Sequence, residues 1–206
     1  MALQNKIDGE IFQNTLKILK RLINFKTVSG KSNLELIDYC ENELKKSGAT
    51  SSKTFNKSKT QANLFSTIQG MNSSDKGIVL SGHTDVVPAI ASEWTSDPYI
   101  AREKDNKVFG RGTCDMKGFI ACTLAVAPFF ESKKLKKPIH FSFTFDEETG
   151  CLGAPLVLAD FKKKNLNFSA CIIGEPTSMK PIIAHKGYNE YVTHFTGLSG
   201  HASNPN

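Results

Sequence analysis

Apolar residues near the start of the chain recur at helical spacing. Ile11, Phe12, Leu16, Ile18, Leu19 and Leu22 keep that period over residues 8–23, with Asp8 as the expected N-cap. Residues 33–47 repeat it with Leu34, Ile37, Tyr39, Cys40 and Leu44, and Gly48 closes the stretch. Thr27-Val28-Ser29-Gly30, between the two, reads as a loop. The period then shortens. Residues 63–69 alternate like a strand, residues 70–77 form a turn of small polar residues, and residues 77–81 are a short apolar run of the kind that makes a buried strand.

Residues 89–106 form a long connection holding Trp94 and Asp97-Pro98, and a connection of that length in a compact domain is often functional. Beyond it the pattern predicts a helix over 116–130, apolar on most of its circumference, a strand over 138–145, a helix over 150–164 and a strand over 168–173. This alternation predicts an α/β fold: a mixed, largely parallel sheet flanked by helices.

A chain of 206 residues with 39% hydrophobic and 22% charged residues suits one sizeable core or a domain and a half. No apolar run approaches the roughly 20 residues that span a bilayer, and the N-terminus lacks the apolar stretch of a signal peptide, so the expectation is a cytoplasmic protein with no membrane partner. The net charge is +6, yet the lysines fall in short runs (45–46, 133–137, 162–164), each after a helix, where cations suit the carbonyl end of the dipole. Solvated helix ends explain them better than a nucleic-acid surface. Five cysteines, none in a Cys-x-x-Cys pair, argue against a disulfide framework and predict mostly buried thiols.

Four apolar segments end in the same way, with acid. They deliver His83 and Asp85, then Asp115, then Glu147 and Glu148, then Glu175. In open α/β sheets ligands bind beyond the carboxyl ends of the strands, so residues far apart in sequence converge there. One imidazole and several carboxylates suit zinc, cobalt or manganese. The carboxylates outnumber the needs of one ion, which favours two. His83 can ligate through one ring nitrogen while Asp85 engages the other. In Asp146-Glu147-Glu148, neighbouring side chains point apart, so one can bind a metal while the other stays free as a base. Taken alone, that triplet reads as a solvated acidic turn before a helix; the other three segments turn the balance. Gly110-Arg111-Gly112 lacks the rest of a phosphate loop and reads as a turn placing Asp115. His140 and His194 read as structural residues in strands, and His185 stays ambiguous. His201, among small residues, suits a side chain presented to a ligand.

These stretches together resemble the di-zinc amidohydrolase and peptidase family. The resemblance rests on Ser81 to Pro88, Gly110 to Gly118, Asp146 to Gly150, Gly174 to Thr177 and Gly200 to Ser203. Within the family the chain looks most like the acetylornithine deacetylases, through residues 94–98, 114–120, 174–181 and 184–187. The resemblance implies that His83 and Glu175 hold one metal ion and Glu148 the other. It makes Asp115 the bridge, with a cis peptide to Met116. Glu147 would be the general base, Asp85 would orient His83, and His201 would stabilise the oxyanion, commonly across a homodimer. It further implies two divalent ions, zinc or else cobalt, and hydrolysis of an N-acyl amino acid, N2-acetyl-L-ornithine above others, in arginine biosynthesis. A desuccinylase of succinyl-diaminopimelate, or a dipeptidase, shares the same metal residues. A non-catalytic metal-binding module is the rival of another class. Family members are nearly twice as long, so residues 1–180 are expected to be the N-terminal part of the catalytic domain and 181–206 the beginning of a lid or dimerisation domain. A further metal-ligating histidine is expected beyond Asn206, and the chain alone is expected to be poorly active.

Overall fold

The computed structural model describes residues 2–72, 76–187, 189 and 191–203, with residues 2–8 described by their backbone. Helix α1 (Ala2–Asn24) is followed by α2 (Leu34–Lys46), then by strands β1 (Thr50–Phe55), β2 (Ala62–Ile68) and β3 (Gly77–His83). A single 3-10 turn (Ala91–Glu93) precedes the hairpin β4 (Arg102–Lys104) and β5 (Lys107–Phe109). Helix α3 (Lys117–Glu131), strand β6 (Ile139–Thr144), helix α4 (Ala154–Lys163) and strand β7 (Phe168–Ile173) complete the order.

The main sheet runs β1-β2-β6-β3-β7. β1 and β6 pair antiparallel with β2, whereas β3 pairs parallel with both β6 and β7. Four of the five strands thus point the same way and β2 alone is reversed, the mixed sheet expected. Alternation along β2 explains the layers. Leu64 joins a core with Leu22 and Ile23 of α1, Leu36, Ile37 and Leu44 of α2, Ile120 and Leu124 of α3, and Phe141 and Phe143 of β6. Its neighbour Phe65 faces the other way, onto Val157 and Phe161 of α4. Truncating a fully buried phenylalanine such as Phe141 typically costs about 3–5 kcal/mol. His140 is buried on the α4 side, with Nδ1 2.9 Å from Thr67 Oγ1 and its ring stacked on Phe65, the structural role expected of it.

Several expectations are corrected. α1 begins at Ala2, upstream of Asp8, so Asp8 lies within the helix instead of capping it. α2 has Asn33 at its N-cap position, but the Asn33 amide is spent on Ala62 of β2, giving to its carbonyl and taking from its N–H, each at 2.9 Å. Of the five cysteines only Cys40 is buried. Cys171 sits on β7, which is exposed along most of its length as an edge strand. Residues 73–75 of the expected turn lie outside the described residues. Among the described residues no helix is long and apolar enough to cross a membrane.

The chain divides into a large unit, Met1–Pro176, and a small one, Thr177–Asn206. Among its described residues the small unit has no helix or strand, so the run around His194 does not form the strand its pattern suggests. Tyr191, Val192 and Phe195 are exposed there, and an alternating run without a neighbouring strand to pair with has nothing to bury its apolar face against.

Candidate metal centre

The site is built where β3, β6 and β7 end side by side. His83 closes β3 and is 2% exposed. Its backbone N–H meets the Met116 sulfur at 3.2 Å. Its Nδ1 lies 3.0 Å from the Asp85 carbonyl and 3.5 Å from Asp85 Oδ1, which fixes the ring and turns Nε2 outward. Around Nε2 stand Asp115 Oδ1 at 3.0 Å, Glu175 Oε1 at 3.7 Å and Glu147 Oε2 at 3.8 Å. Ligand atoms of His83, Asp115 and Glu175 all lie within 4.8 Å of one another, and so do those of His83, Glu147 and Glu148. Six residues expected at the site, His83, Asp85, Asp115, Glu147, Glu148 and Glu175, are therefore gathered. The Asp115–Met116 peptide is cis. His201 belongs to the small unit, where it is exposed, with Nδ1 2.7 Å from Ser203 Oγ.

Each acid is delivered by a local device. Asp146 turns the chain at the end of β6 with φ of 50°, and its buried carboxylate accepts from Gly30 N–H and Gln61 Nε2, both at 2.7 Å. The acidic triplet is thus no solvated turn: its first member is an internal anchor that sends Glu147 and Glu148 to the site. The Asp85 carboxylate supports the same turn, accepting the N–H of Glu147 at 3.0 Å and of Glu148 at 3.2 Å. Gly174 carries β7 toward Glu175 directly over the Phe119 ring, where a Cβ would overlap the ring atoms. Lys117, fully buried, ties the segment after Asp115 to the end of α1 through the carbonyls of Leu22 and Phe25, at 3.1 and 2.7 Å.

The electrostatics suit a cation. Burial pushes Glu175 up to about 7, with Asp115 and Glu147 adding repulsion against the opposing pull of His83. Burial, then Asp115, also raises Glu148. Burial opposes protonation of His83, yet Asp85, Glu175 and Asp115 outweigh it and lift the imidazole to about 9. Asp85 is held below the usual carboxylate range: burial works against its charge, but hydrogen bonds from His83, Ser29 and Glu147 prevail. Carboxylates that resist ionising beside one another are the environment a divalent ion relieves, and the oxygen and imidazole donors match zinc or cobalt. The donor set fits.

Sequence reasoning did not single out Ser29, Gly30, Gln61 or Lys117 as parts of this site. A hydroxyl and a glycine following an amphipathic helix were the available signal for the first two. A lysine at the head of an apolar helix was the signal for the last.

Known proteins resemble this chain in sequence and in fold. The profile described as Peptidase family M20/M25/M40 matches residues 79–193. Acetylornithine deacetylases of Edwardsiella ictaluri and Salmonella typhimurium are each 43% identical over 143 residues, covering 69% of this chain and 37% of theirs. The chain thus spans 37% of the length of these curated relatives. Among solved structures, human carnosine dipeptidase 1 superposes with a TM-score of 0.69 at 20% identity, over 82% of this chain and 39% of that one. The M20 family metallo-carboxypeptidase Sso-CP2 of Sulfolobus solfataricus gives 0.68 at 21%, over 78% and 37%. At these identities the structural likeness is one of fold.

Proposed function

This chain belongs to peptidase family M20/M25/M40, and on that premise we propose that it carries the metal-binding face of an amide hydrolase acting on N-acyl amino acids. N2-acetyl-L-ornithine, released as L-ornithine and acetate, is the substrate the reading favours, because acetylornithine deacetylases are 43% identical to this chain over 143 residues. One observation supports the chemistry: carboxylates from the ends of β6 and β7 and from the turn before α3 converge on one buried imidazole at the end of β3.

The residues fit two divalent ions, zinc or cobalt. His83 and Glu175 would hold one, Glu148 the other, and Asp115 would lie between them. When bound, the ions supply Lewis-acid charge to the acyl carbonyl and the attacking water. The remaining work falls to side chains of this chain. Glu147 accepts a proton from the water as its oxygen bonds to the acyl carbon. It returns that proton to the nitrogen as the C–N bond breaks, so the water ends as the new acid oxygen and the new amine hydrogen. Asp85 holds both the His83 ring and the Glu147-Glu148 turn. His201 donates to the developing oxyanion, an interaction whose loss typically costs roughly 2.7–4 kcal/mol of barrier. On this reading the protein works in the cytoplasm as a homodimer, with residues 1–180 in the catalytic domain and 181–206 opening the lid.

The test is amine release by the intact protein from N2-acetyl-L-ornithine and from N-succinyl-diaminopimelate, side by side, with zinc or cobalt added. Release from the first alone supports the reading. Release from the second alone keeps the chemistry and replaces the substrate. Release from neither, with metal bound, favours a non-catalytic metal-binding module.

A further inference from the structure

A short segment that contributes no ligand touches the supports of three ligand turns, those of His83, Asp115 and Glu147-Glu148. It begins at the end of α1. The Leu22 and Phe25 carbonyls receive the buried Lys117 ammonium, two residues past Asp115. Thr27 Oγ1 donates to the Thr84 carbonyl at 2.5 Å, and the backbones of 27–29 and 86 exchange hydrogen bonds: Val86 N–H to Thr27 O at 3.0 Å, Ser29 N–H to Val86 O at 3.1 Å. Ser29 Oγ donates to Asp85 Oδ2 at 2.7 Å. Gly30, at a φ of +77°, donates its N–H to Asp146 Oδ1 at 2.7 Å.

We propose that residues 27–30 are a positioning strap for the metal centre and that Ser29 is its decisive side chain, acting through Asp85. The proposal rests on the metal-hydrolase reading above. The Asp85 carboxylate has little freedom. Oδ1 is taken by the Glu147 N–H, and Oδ2 is shared by the Glu148 N–H and the Ser29 hydroxyl. Among the described residues, the hydroxyl is the one side chain outside the ligand-bearing loops that hydrogen-bonds this carboxylate. Without it, rotation of the carboxylate shifts the two amides and, with them, the Glu147 and Glu148 side chains. Sites of this kind tolerate displacements of only about 0.5 Å. Groups standing behind metal ligands typically govern affinity about 10–100-fold.

The test compares Ser29→Ala and Ser29→Thr with the natural protein. Zinc affinity is read by competition with a chelator, and geometry by the visible absorption of the cobalt(II) form. The expected result is at least about tenfold weaker zinc binding and an altered cobalt spectrum for S29A. S29T, which keeps the hydroxyl, restores both, and the metal-free melting curves of all three coincide. Wild-type affinity and spectrum in S29A overturn the proposal. So does a loss that S29T shares, or one that vanishes when the variants are compared at equal folded fraction. Failure of the natural protein itself to bind zinc or cobalt refutes the metal reading and the strap with it, an outcome distinct from the others because it appears before any substitution.

Discussion

The Asp85 carboxylate accepts the backbone N–H of Glu147 at 3.0 Å, joining two loops 62 residues apart in sequence. One oxygen pair therefore sets the position of the candidate base as well as the ring of His83. Asp85→Asn keeps the shape but turns an N–H against N–H donors on one side. We expect kcat to fall by at least roughly 10–100-fold and zinc affinity to weaken, the two being measured by amine release and chelator competition. An asparagine variant with unaltered kcat would show that the carboxylate does not organise the turn.

Glu147→Gln separates base from ligand. Glu148, Asp115, Glu175 and His83 remain to hold metal in this variant, while proton transfer is lost. Turnover is expected to drop about 10²–10⁴-fold with bound zinc retained, as read by metal analysis of the dialysed protein. Loss of metal together with turnover would reassign Glu147 as a ligand.

Gly174 lies against the Phe119 ring, with no room for a side-chain carbon. Gly174→Ala must push β7 away from α3 and carry Glu175 with it. Overpacking of this kind costs about 1–3 kcal/mol, so a lower melting temperature and weaker zinc binding are expected together. Pairing it with Phe119→Ala, which empties the space, should recover part of the melting temperature.

His140 supplies a pH dependence remote from the metal. Burial keeps its pKa below the ordinary value, so the folded state favours the neutral ring. The unfolded chain takes up the proton first, near pH about 6.5. Stability from this group is thus fully present above that pH and is lost as the pH falls through it toward the lower folded value. His140→Gln cannot titrate and can still bond Thr67, so its melting temperature should decline less between neutral and mildly acidic pH than that of the natural protein.

The sheet was legible where its strands are apolar runs, whether buried, as β6 is, or largely exposed, as β7 is. β3 and β6 read as strands because apolar residues dominate Gly77–Leu80 and Ile139–Phe143, and the acids that follow them stand out against that background. β1 was missed, since an edge strand with the sequence Thr-Ser-Ser-Lys-Thr-Phe buries little and shows no apolar period. β4, Arg-Glu-Lys, is exposed throughout and was hidden in the long connection for the same reason. The ligand residues could be picked out because each is an acid or histidine at the close of an apolar run. Their supports could not. Asn33, Gln61 and Ser29 are ordinary polar residues whose burial is decided by chain segments 29 to 85 residues distant.

β3 is hydrogen-bonded in parallel register to β6 on one side and β7 on the other, with His83 opposite Thr144 and Ser81 opposite Ile173. A strand advances about 3.3 Å per residue, which exceeds the slack of any coordination bond. A slip of one residue in either pairing would carry Glu147 or Glu175 out of reach of His83. Strand alignment is therefore the ruler that spaces the donors, and the distance between them is settled by the same hydrogen-bond ladder that settles the fold.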